Sequence, residues 1–391
     1  MGMLEAEDRT DLLVGAFGRL TGASPTVLGR APGRVNLMGE HTDYNAGLVL
    51  PVALPHCTRV AARARDDGRV RLLSLQQDDA FVGHLTDCGP GGPTGWAGYA
   101  AGVMWALSRV GLPVPGVDLV VDSTVPLGAG LSSSAALECA VGAAVLGLLE
   151  RPAGGAAAEL LVRAGIAAER EVVGAPTGGM DQAVSVHGTA DHALLIDFED
   201  DSRRSVPLHL AERGLALLVT DTRVSHALVD GGYGSRRDDC EEAARLLGVP
   251  SLREATVEQV EGLEDDRLRR RARHVVTEID RVSATVSALE TDDRDALARL
   301  TADSHASMRE DFEISCPELD AAVAAAVGAG ALGARMTGGG FGGSAVAWVP
   351  AERVDRVVTA IDDRFARAGF RSPQHLLATP SAGAAWTPVT G

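Results

Sequence analysis

The chain has 391 residues, of which 46% are hydrophobic and 23% charged, and its formal net charge is -17. This length suffices for two domains of roughly 100–200 residues each. The negative charge argues against a nucleic acid partner, since nucleic acids are bound through basic surfaces. No apolar run reaches the roughly 20 residues of a membrane span. The acidic N-terminal segment differs from a basic signal peptide, so we expect a cytoplasmic protein that does not bind membranes.

Two features of the composition limit the chemistry. The 5 cysteines are dispersed and form no CxxC pair, which favours reduced thiols over a disulfide framework or a zinc site. All 36 basic residues are arginine. The lack of lysine excludes the phosphate-binding lysine of a Walker motif, the strand lysine of protein kinases and a lysine Schiff base. If the protein transfers phosphate, it must do so with another architecture.

Short β-like runs alternate with long stretches rich in Ala, Leu, Arg and Glu, which predicts a mixed α and β protein. In chain order the pattern predicts a strand at Val117–Ser123, helices at 135–150 and Ala156–Glu171, strands at Ala193–Asp197 and Leu215–Asp221, helices at Arg236–Leu247, Arg267–Leu289 and Arg294–Met308, and finally a strand, a glycine loop and a strand within 331–349. The acidic patch Phe198–Ser205 is the predicted boundary between an N-terminal domain, residues 1–200, and a C-terminal domain, residues 201–391.

The segment Pro32–Pro51 concentrates hydrogen-bonding side chains within a mostly apolar stretch. A polar turn between two strands is one interpretation. A sugar site is the other, because carboxylates beside a histidine suit several hydroxyl groups, and an unpaired buried acceptor costs roughly 1–3 kcal/mol. The side chains concerned are Arg34, Asn36, Glu40, His41, Asp43 and Tyr44.

The segment Pro126–Glu138 places glycines and three serines between a predicted strand and a predicted helix. Backbone N–H groups at such a turn form an anion site without side-chain charge. The alternative is an ordinary helix cap, because serine is a favoured N-cap residue. The serine hydroxyls also offer a ligand for magnesium.

Two further segments carry candidate residues. In Ala168–Ser185, Glu169 and Asp181 are separated by a glycine-containing stretch; each has an ordinary alternative, a solvated glutamate and a turn-capping aspartate. In Arg335–Val346, a run of glycines either turns the chain or lets the backbone approach a ligand closely.

Together these four segments resemble the galactokinases, within the family that also holds homoserine and mevalonate kinases. PGRVNLMGEHTDYN is similar to the galactokinase signature, PLGAGLSSSAALE to the family's ATP loop and TGGGFGG to its third motif. The likeness runs from Ala31 to Val346. It implies an α+β, two-domain GHMP-kinase fold with the active site in the cleft between the domains. The N-terminal domain would resemble domain 2 of ribosomal protein S5, and the C-terminal domain would be ferredoxin-like.

The resemblance also implies roles for individual residues. Asp181 would be the catalytic acid/base residue, and Arg34 the cation that faces the transferring phosphoryl group. Magnesium would be held by Ser134 and Glu169. The implied sugar pocket consists of Glu40, His41, Thr42, Asp43, Gly178 and Tyr233. The implied ATP site consists of Ser74, Trp96, Gly128, Ala129, Gly130, Leu131, Ser132, Ser133 and Ser134, with Trp96 near adenine.

The implied reaction is ATP-dependent phosphorylation of galactose at its anomeric hydroxyl, the first committed step of galactose catabolism, by a monomeric enzyme that uses Mg²⁺. Two alternatives stay open. One is a related sugar-1-kinase that acts on N-acetylgalactosamine or arabinose. The other is a non-catalytic protein that senses galactose and ATP. The sequence also leaves open whether Asp181 accepts the hydroxyl proton or only orients the hydroxyl.

Overall fold

The computed structural model describes residues 3–175, 177–224 and 229–389 and confirms the predicted mixture of helix and strand. Within these ranges the α-helices are α1 Thr10–Thr21, α2 Trp96–Arg109, α3 Ser133–Leu148, α4 Ala156–Ala167, α5 Met180–His187, α6 Val229–Leu247, α7 Val257–Glu261, α8 Asp266–Thr291, α9 Arg294–Glu310, α10 Pro317–Gly328 and α11 Val354–Ala368. The strands are β1 Val27–Asn36, β2 Leu48–Val49, β3 Pro51–Arg65, β4 Arg69–Ser74, β5 Phe81–His84, β6 Gly116–Ser123, β7 His192–Asp197, β8 Ser202–Pro207, β9 Leu215–Asp221, β10 Gly333–Thr337, β11 Ser344–Pro350, β12 Gln374–Leu377 and β13 Ala385–Pro388. No helix in these ranges combines the length and the apolar character that a membrane crossing requires.

The N-terminal half is built on a sheet with the strand order β13-β1-β3-β6-β4-β5. Neighbouring strands are antiparallel except β4 and β6, which are parallel. The register of β1 with β3 shifts between Pro32 and Arg34. Such an irregularity changes the direction of the side chains that follow it, and here it directly precedes Arg34. At Gly33 an added Cβ would lie 2.7 Å from the carbonyl oxygen of Leu131, so glycine lets β1 approach the loop before α3.

Helix α3 confirms the helix predicted at 135–150 and is buried on all sides from residue 135 to residue 147. A helix that is apolar around its whole circumference belongs in a protein interior. Small residues let it pack closely on the sheet, and a Cβ at Gly29 of β1 would overlap the carbonyl oxygen of Ala140. Glu138 is the charged residue within this buried stretch.

The helix predicted at Ala156–Glu171 is correct only up to Ala167, where α4 ends. A π-helical turn, Ala168–Val173, follows it. Turns of this kind accommodate an extra residue and often occur at functional sites. Here the wider turn buries Glu169, while its neighbours Arg170 and Glu171 stay exposed.

The C-terminal half contains an antiparallel sheet with the order β10-β11-β9-β12, and a smaller sheet has the order β2-β7-β8. The predicted strands in this half correspond to β7, β9, β10 and β11, and the predicted helices lie within α6, α8 and α9. The predicted boundary after residue 200 stays a prediction. Residue 200 lies in the connection between the paired strands β7 and β8, and the chain returns at its end to pair β13 with β1.

Helix α8, in the C-terminal half, forms hydrogen bonds with the segment Pro32–Pro51. The His274 ring lies 3.1 Å, through Nε2, from the carbonyl oxygen of Glu40. The backbone N–H of Gly39 donates to Oε1 of Glu278 at 3.0 Å. The segment between β1 and β2 is therefore held between the two halves of the molecule.

Candidate active site

Arg34 and Asp181 form a bidentate ion pair. Nε and Nη2 of Arg34 donate to the two carboxylate oxygens of Asp181 at 2.7 Å and 2.9 Å. Nη1 donates to the carbonyl oxygen of Gly130 at 2.5 Å. The guanidinium thus joins the first turn of α5, which carries Asp181, to the loop before α3. Parallel N–H···O bonds of this kind fix the orientation of both partners.

The loop Gly128–Ser134 needs backbone conformations that favour glycine. Gly128 and Gly130 have φ values of +74° and +70°. Ser132, at the N-cap position of α3, makes no side-chain cap hydrogen bond. Its hydroxyl instead donates to Oδ2 of Asp181. The helix-cap interpretation is therefore wrong for Ser132, and the first N–H groups of α3 are left for another acceptor.

The loop is also held from the C-terminal half. Ser344, at the start of β11, donates through its hydroxyl to the carbonyl oxygen of Ala129 at 2.7 Å. At Gly338 an added Cβ would lie 3.1 Å from the carbonyl oxygen of Gly130. The glycine run of the third motif, TGGGFGG, therefore packs against the loop Gly128–Ser134. The order of the segments in the sequence did not indicate this contact. On the side of β1, the backbone N–H of Arg34 donates to the carbonyl oxygen of Leu131 at 3.0 Å and also holds the loop.

Glu40 is buried, and protein donors already occupy both of its carboxylate oxygens. Asn36 donates to Oε2 at 2.9 Å, and Arg335 pairs with the same oxygen. Oε1 accepts from the hydroxyl of Thr337 at 2.9 Å and from the N–H of Gly338 at 3.0 Å. Glu40 therefore links β1 to β10 as well as lining the cavity described below.

His41 belongs to an aromatic group with Tyr44 and Tyr233. Its Nε2 lies 3.2 Å from the carbonyl oxygen of Gly339, which can only accept, so Nε2 carries the proton. Nδ1 then accepts from the hydroxyl of Tyr44 at 2.8 Å. Burial lowers the pKa of His41 to about 3, so the ring is neutral at physiological pH. The ring centroid of Tyr233, on α6, lies 5.0 Å from that of His41.

Thr42 and Asp43 point in different directions. The hydroxyl of Thr42 lies 2.6 Å from the carbonyl oxygen of Leu48 and 2.9 Å from that of Gly39, so it holds the turn together. Thr42 does not line the cavity, whereas Asp43 does. Burial, followed by the neighbouring carboxylate of Asp181, raises the pKa of Asp43 to about 6.

Gly178 lies directly behind Asp43. A Cβ at this position would overlap the Asp43 carboxyl group. Gly178 is not among the residues that line the cavity described below, and its predicted backbone contact with the sugar stays a prediction. Gly178, in the loop before α5, and Asp43, in the turn after β1, are brought together although the chain separates them widely.

A cavity of about 190 Å³ opens between the two halves of the molecule. Sequence-predicted residues line most of it, together with backbone of the glycine run. The predicted members are Arg34, Glu40, His41, Asp43, Glu169, Asp181 and Tyr233, and the further members include Thr177, Gly338 and Gly339.

A second cavity, of about 80 Å³, lies beside the first turn of α3. It is lined by Ser74, Trp96 and Ser133, which the sequence assigned to ATP. Leu127, 63% exposed, also lines it, as does Gln76, and neither was predicted. Gln76 is fixed by donating through Nε2 to the buried Asp122 at 2.6 Å.

The two predicted magnesium ligands are neighbours. Burial, followed by the charge of Asp181, raises the pKa of Glu169, and hydrogen bonds from Gln182, Ser134 and Thr177 partly offset that rise. Ser134 and Glu169 therefore lie near each other and near Asp181. Burial raises the pKa of Glu138 as well, with Glu169 as the next cause.

Sequence reasoning missed the buried residues that hold this site. Arg335 and Glu278, both 0% exposed, lie 3.6 Å apart through Nη2 and Oε1 behind Glu40. Charged residues are rarely fully buried, so no pattern in the sequence marked them. The glycine run beside Arg335 was noted, but its contact with Glu40 depends on how the chain folds.

The comparisons with known proteins agree with this geometry. Residues 15–64 match the sequence profile described as the galactokinase galactose-binding signature. Residues 98–189 match the GHMP kinases N-terminal domain, and residues 285–367 match the GHMP kinases C-terminal domain. A galactokinase of Streptomyces coelicolor is 48% identical over 94% of this chain and 96% of its own length. The chain belongs to the galactokinase family.

Other relatives agree with this assignment. A galactokinase of Mycobacterium tuberculosis is 45% identical, covering 89% of this chain and 96% of the relative. The crystal structure of Lactococcus lactis galactokinase complexed with galactose superposes with a TM-score of 0.91 at 29% identity, over 96% of this chain and 99% of that one. The predicted α+β, two-domain GHMP-kinase fold is confirmed. Mevalonate kinase of Methanococcus jannaschii, at 15% identity and a TM-score of 0.66, shares this fold.

Proposed function

We propose that the protein is a galactokinase that transfers the γ-phosphoryl group of ATP to the anomeric hydroxyl of galactose and thereby forms galactose 1-phosphate. The observation that carries this proposal is the position of Arg34, which binds Asp181 at the sugar-motif cavity and Gly130 in the glycine–serine loop. Phosphoryl transfer requires donor and acceptor to be held in line at one point. Arg34 lies between the two proposed binding sites, where that point must be.

The hydrogen bonds that Asp181 makes within residues 3–175, 177–224 and 229–389 leave room for one more donor. A carboxylate offers about four lone-pair sites. Arg34 occupies one site on each oxygen, and Ser132 occupies a second site on Oδ2. The remaining site is on Oδ1, and it is where we place the anomeric hydroxyl. From that position Asp181 either accepts the hydroxyl proton or orients the hydroxyl for attack.

Arg34 retains two unused N–H groups after binding Asp181 and Gly130. A guanidinium has five donors, and three are used here. The two that remain are one on each terminal nitrogen. We propose that they bind oxygens of the transferring phosphoryl group, where charge accumulates during the reaction. In a chain without lysine, this arginine supplies the permanent positive charge.

The sugar pocket is proposed to recognise galactose chiefly through Asp43. Among the described residues, hydrogen-bond donors occupy both oxygens of Glu40 but only Oδ1 of Asp43, which accepts from the N–H of Tyr44 at 3.0 Å. Oδ2 of Asp43 is therefore the acceptor available for sugar hydroxyls. His41 and Tyr233 supply the aromatic wall beside it.

The loop Gly128–Ser134 is proposed to bind the triphosphate through its backbone N–H groups, and the cavity at Ser74 and Trp96 to bind adenine. Uncapped N–H groups at the start of a helix attract anions. Support comes from α3, whose first turn has no side-chain cap, and from the glycines whose positive φ values turn the loop.

The residues present fit a magnesium ion that is shared with phosphate. No group of three or more His, Cys, Asp or Glu residues in the described ranges would hold a metal. Mg²⁺, however, commonly binds one or two protein oxygens together with substrate phosphates. Glu169 and Ser134 offer such a pair, and the mutual repulsion of Glu169 and Asp181 leaves negative charge to be neutralised. When bound there, the ion would neutralise charge on the phosphate oxygens.

We also propose a cytoplasmic location, a monomeric state and a division of the chain into domains near residue 200. The 5 cysteines in the structure are unpaired, which supports a reducing compartment. Size-exclusion chromatography with light scattering tests the monomeric state directly.

A coupled ADP-release assay tests the proposed function. We expect rapid ADP release with galactose, and slow or no release with glucose, N-acetylgalactosamine, arabinose, mevalonate and homoserine. Faster turnover of N-acetylgalactosamine or arabinose would favour the related sugar-1-kinase instead. Binding of galactose and ATP without any ADP release would favour the sensor, and either result would contradict the proposal.

A further inference from the structure

Glu138 is a buried acid that the proposed reaction does not use. It lies on α3 with 0% of its surface exposed. Its Oε2 accepts a hydrogen bond from Nε2 of Gln182 at 2.9 Å, whereas Oε1 has no hydrogen-bond partner within the described part of the chain. A buried polar atom without a partner lowers the stability of a protein. Because Glu138 lowers the stability of the fold in this way, we expect its side chain to have a function that involves the neighbouring residues.

The Gln182 side chain connects Glu138 to the proposed magnesium site. Its Nε2 donates to Glu138 at 2.9 Å and to Oε2 of Glu169 at 3.0 Å. The nitrogen is assigned to the end of the amide that faces these two acceptors, because the opposite orientation would place the amide oxygen against two carboxyl groups. Gln182 directly follows Asp181 on α5, so the bridge is built beside the proposed catalytic residue.

The surrounding helices are shaped to hold this bridge. Gly165, on α4, leaves the space that the bridge occupies. A Cβ there would lie 2.8 Å from Cγ of Gln182 and 3.1 Å from Oε2 of Glu138. On α3, Sγ of Cys139 lies 3.9 Å from the carbonyl oxygen of Gln182. Gln182 is therefore contacted by α3 at both its side chain and its backbone.

We infer that Glu138 is a positioning residue that acts through Gln182 to orient the carboxylate of Glu169 toward magnesium. The inference rests on the proposed function, because it takes Glu169 as a magnesium ligand. Each N–H of the Gln182 amide has one acceptor, and removal of Glu138 would free the amide to rotate. Glu169 would then lose the amide donor that holds its Oε2. Loss of such an outer-shell partner typically weakens metal binding about 10–100-fold.

A merely structural role for Glu138 predicts a different result. Replacing Glu138 with an apolar side chain of similar length removes a desolvated acid but leaves one N–H of the buried Gln182 amide without an acceptor, which lowers stability. If Glu138 is a positioning residue, Glu138→Met should weaken magnesium binding of the folded protein beyond what any fall in the melting temperature accounts for. If Glu138 only fills the core, magnesium binding should not respond beyond any loss of folded protein.

The experiment compares four variants of the full chain. Glu138→Met and Gln182→Met remove the two halves of the bridge. Glu138→Gln keeps an oxygen that can accept from Gln182. Glu171→Met is the matched control, since Glu171 belongs to the same turn as Glu169 but pairs with Arg109 on the surface at 2.6 Å. For each variant, calorimetry would give the Mg²⁺ affinity in the presence of a non-hydrolysable ATP analogue, and thermal unfolding would give the melting temperature.

We expect both methionine substitutions within the bridge to weaken Mg²⁺ binding about 10–100-fold, and Glu138→Gln and Glu171→Met to bind like the unmodified protein. Unchanged Mg²⁺ affinity in Glu138→Met or Gln182→Met would overturn the inference, as would failure of Glu138→Met to fold. An equal loss in Glu138→Gln would also overturn it, because charge rather than the hydrogen bond would then be responsible. Failure of the proposed function is separate: the unmodified protein would itself release no ADP with galactose, or would bind the analogue without magnesium.

Discussion

Lowering the pH from about 7 to about 5 is predicted to reduce kcat/KM for galactose about tenfold, through protonation of Asp43. We propose that galactose binds the ionised carboxylate, whose Oδ2 accepts no hydrogen bond from the described residues. Protonation would replace that acceptor with a hydroxyl group. The effect should appear mainly in KM, because Asp43 is proposed to bind the sugar and not to take part in proton transfer.

The environment of Asp43 determines where this titration falls. Burial and the carboxylate of Asp181 both disfavour its charged form, whereas the N–H of Tyr44 and the guanidinium of Arg34 favour it. The disfavouring causes are larger, so the pKa of Asp43 rises from 3.8 to about 6. The raised pKa of Asp43 also makes the stability of the folded protein depend on pH. The folded state binds this proton more tightly than the unfolded state, so the contribution of Asp43 to stability is present at low pH and is lost as the pH rises through 6.

The magnitude follows from the raised pKa. One pH unit below a pKa of about 6, about one-eleventh of the molecules carry an ionised Asp43, which gives the tenfold loss. With the ordinary value of 3.8, more than nine-tenths would stay ionised at that pH and the loss would be negligible. His41 does not confuse the measurement, because its pKa of about 3 keeps it neutral across this range.

The assay is initial-rate ADP release at several galactose concentrations across the pH range, at saturating Mg²⁺ and ATP. Asp43→Asn is the control, since it removes the titrating group and keeps the shape. That variant should have a raised KM and a flat pH dependence. The reasoning would be refuted by a kcat/KM for galactose that stays constant down to about pH 5, or by an inflection near pH 6 that persists in Asp43→Asn. The second result would point to another carboxyl group, such as the buried Glu40, whose pKa burial also raises.

Other substitutions test separate parts of the site. Asp181→Asn should fold normally and lower kcat about 10²–10⁴-fold, measured by steady-state ADP release; near-normal kcat would remove it from the chemistry. Arg34→Ala should lower kcat and raise the KM for ATP together, and an unchanged value of both would count against its proposed contact with the phosphoryl group. Gly178→Ala should raise the KM for galactose and leave the KM for ATP unchanged, because its Cβ would displace the carboxyl group of Asp43. Trp96→Ala should raise the KM for ATP roughly tenfold if the indole stacks on adenine, and should leave the KM for galactose unchanged. Equal effects on both substrates would contradict that assignment.

Residues close together in the chain could be assigned to the site from sequence. The carboxylates and the histidine of the sugar segment lie within one turn, so their clustering is already visible in the sequence. His41 and Asp43 do line the cavity. Thr42 belongs to the same motif, but its hydroxyl bonds to carbonyl oxygens of the same turn and does not face the cavity. Proximity in sequence did not reveal which side chains form hydrogen bonds within the turn and which face the cavity.

Residues that act on the site from a distance could not be found in this way. Arg335 reaches Glu40 only because β10 lies beside the end of β1 in the folded chain. Glu138 was visible within the glycine–serine segment, but its link to Glu169 runs through Gln182 on another helix. A single buried charge leaves no periodic pattern, since periodicity reports only which face of an element is apolar.

The sequence by itself determined the mixed fold class, the approximate positions of fewer than half of the helices and strands, the family and the local motifs, because hydrophobic period, turn residues and short motifs depend on neighbours in the chain. Only the tertiary structure decided that Arg34 spans the loop and the cavity, that Ser132 binds Asp181 instead of capping α3, and that the pKa of Asp43 is raised. Hydrogen-bond partners and desolvation depend on which distant segments meet in space, and that information is distributed over the packing of the whole chain.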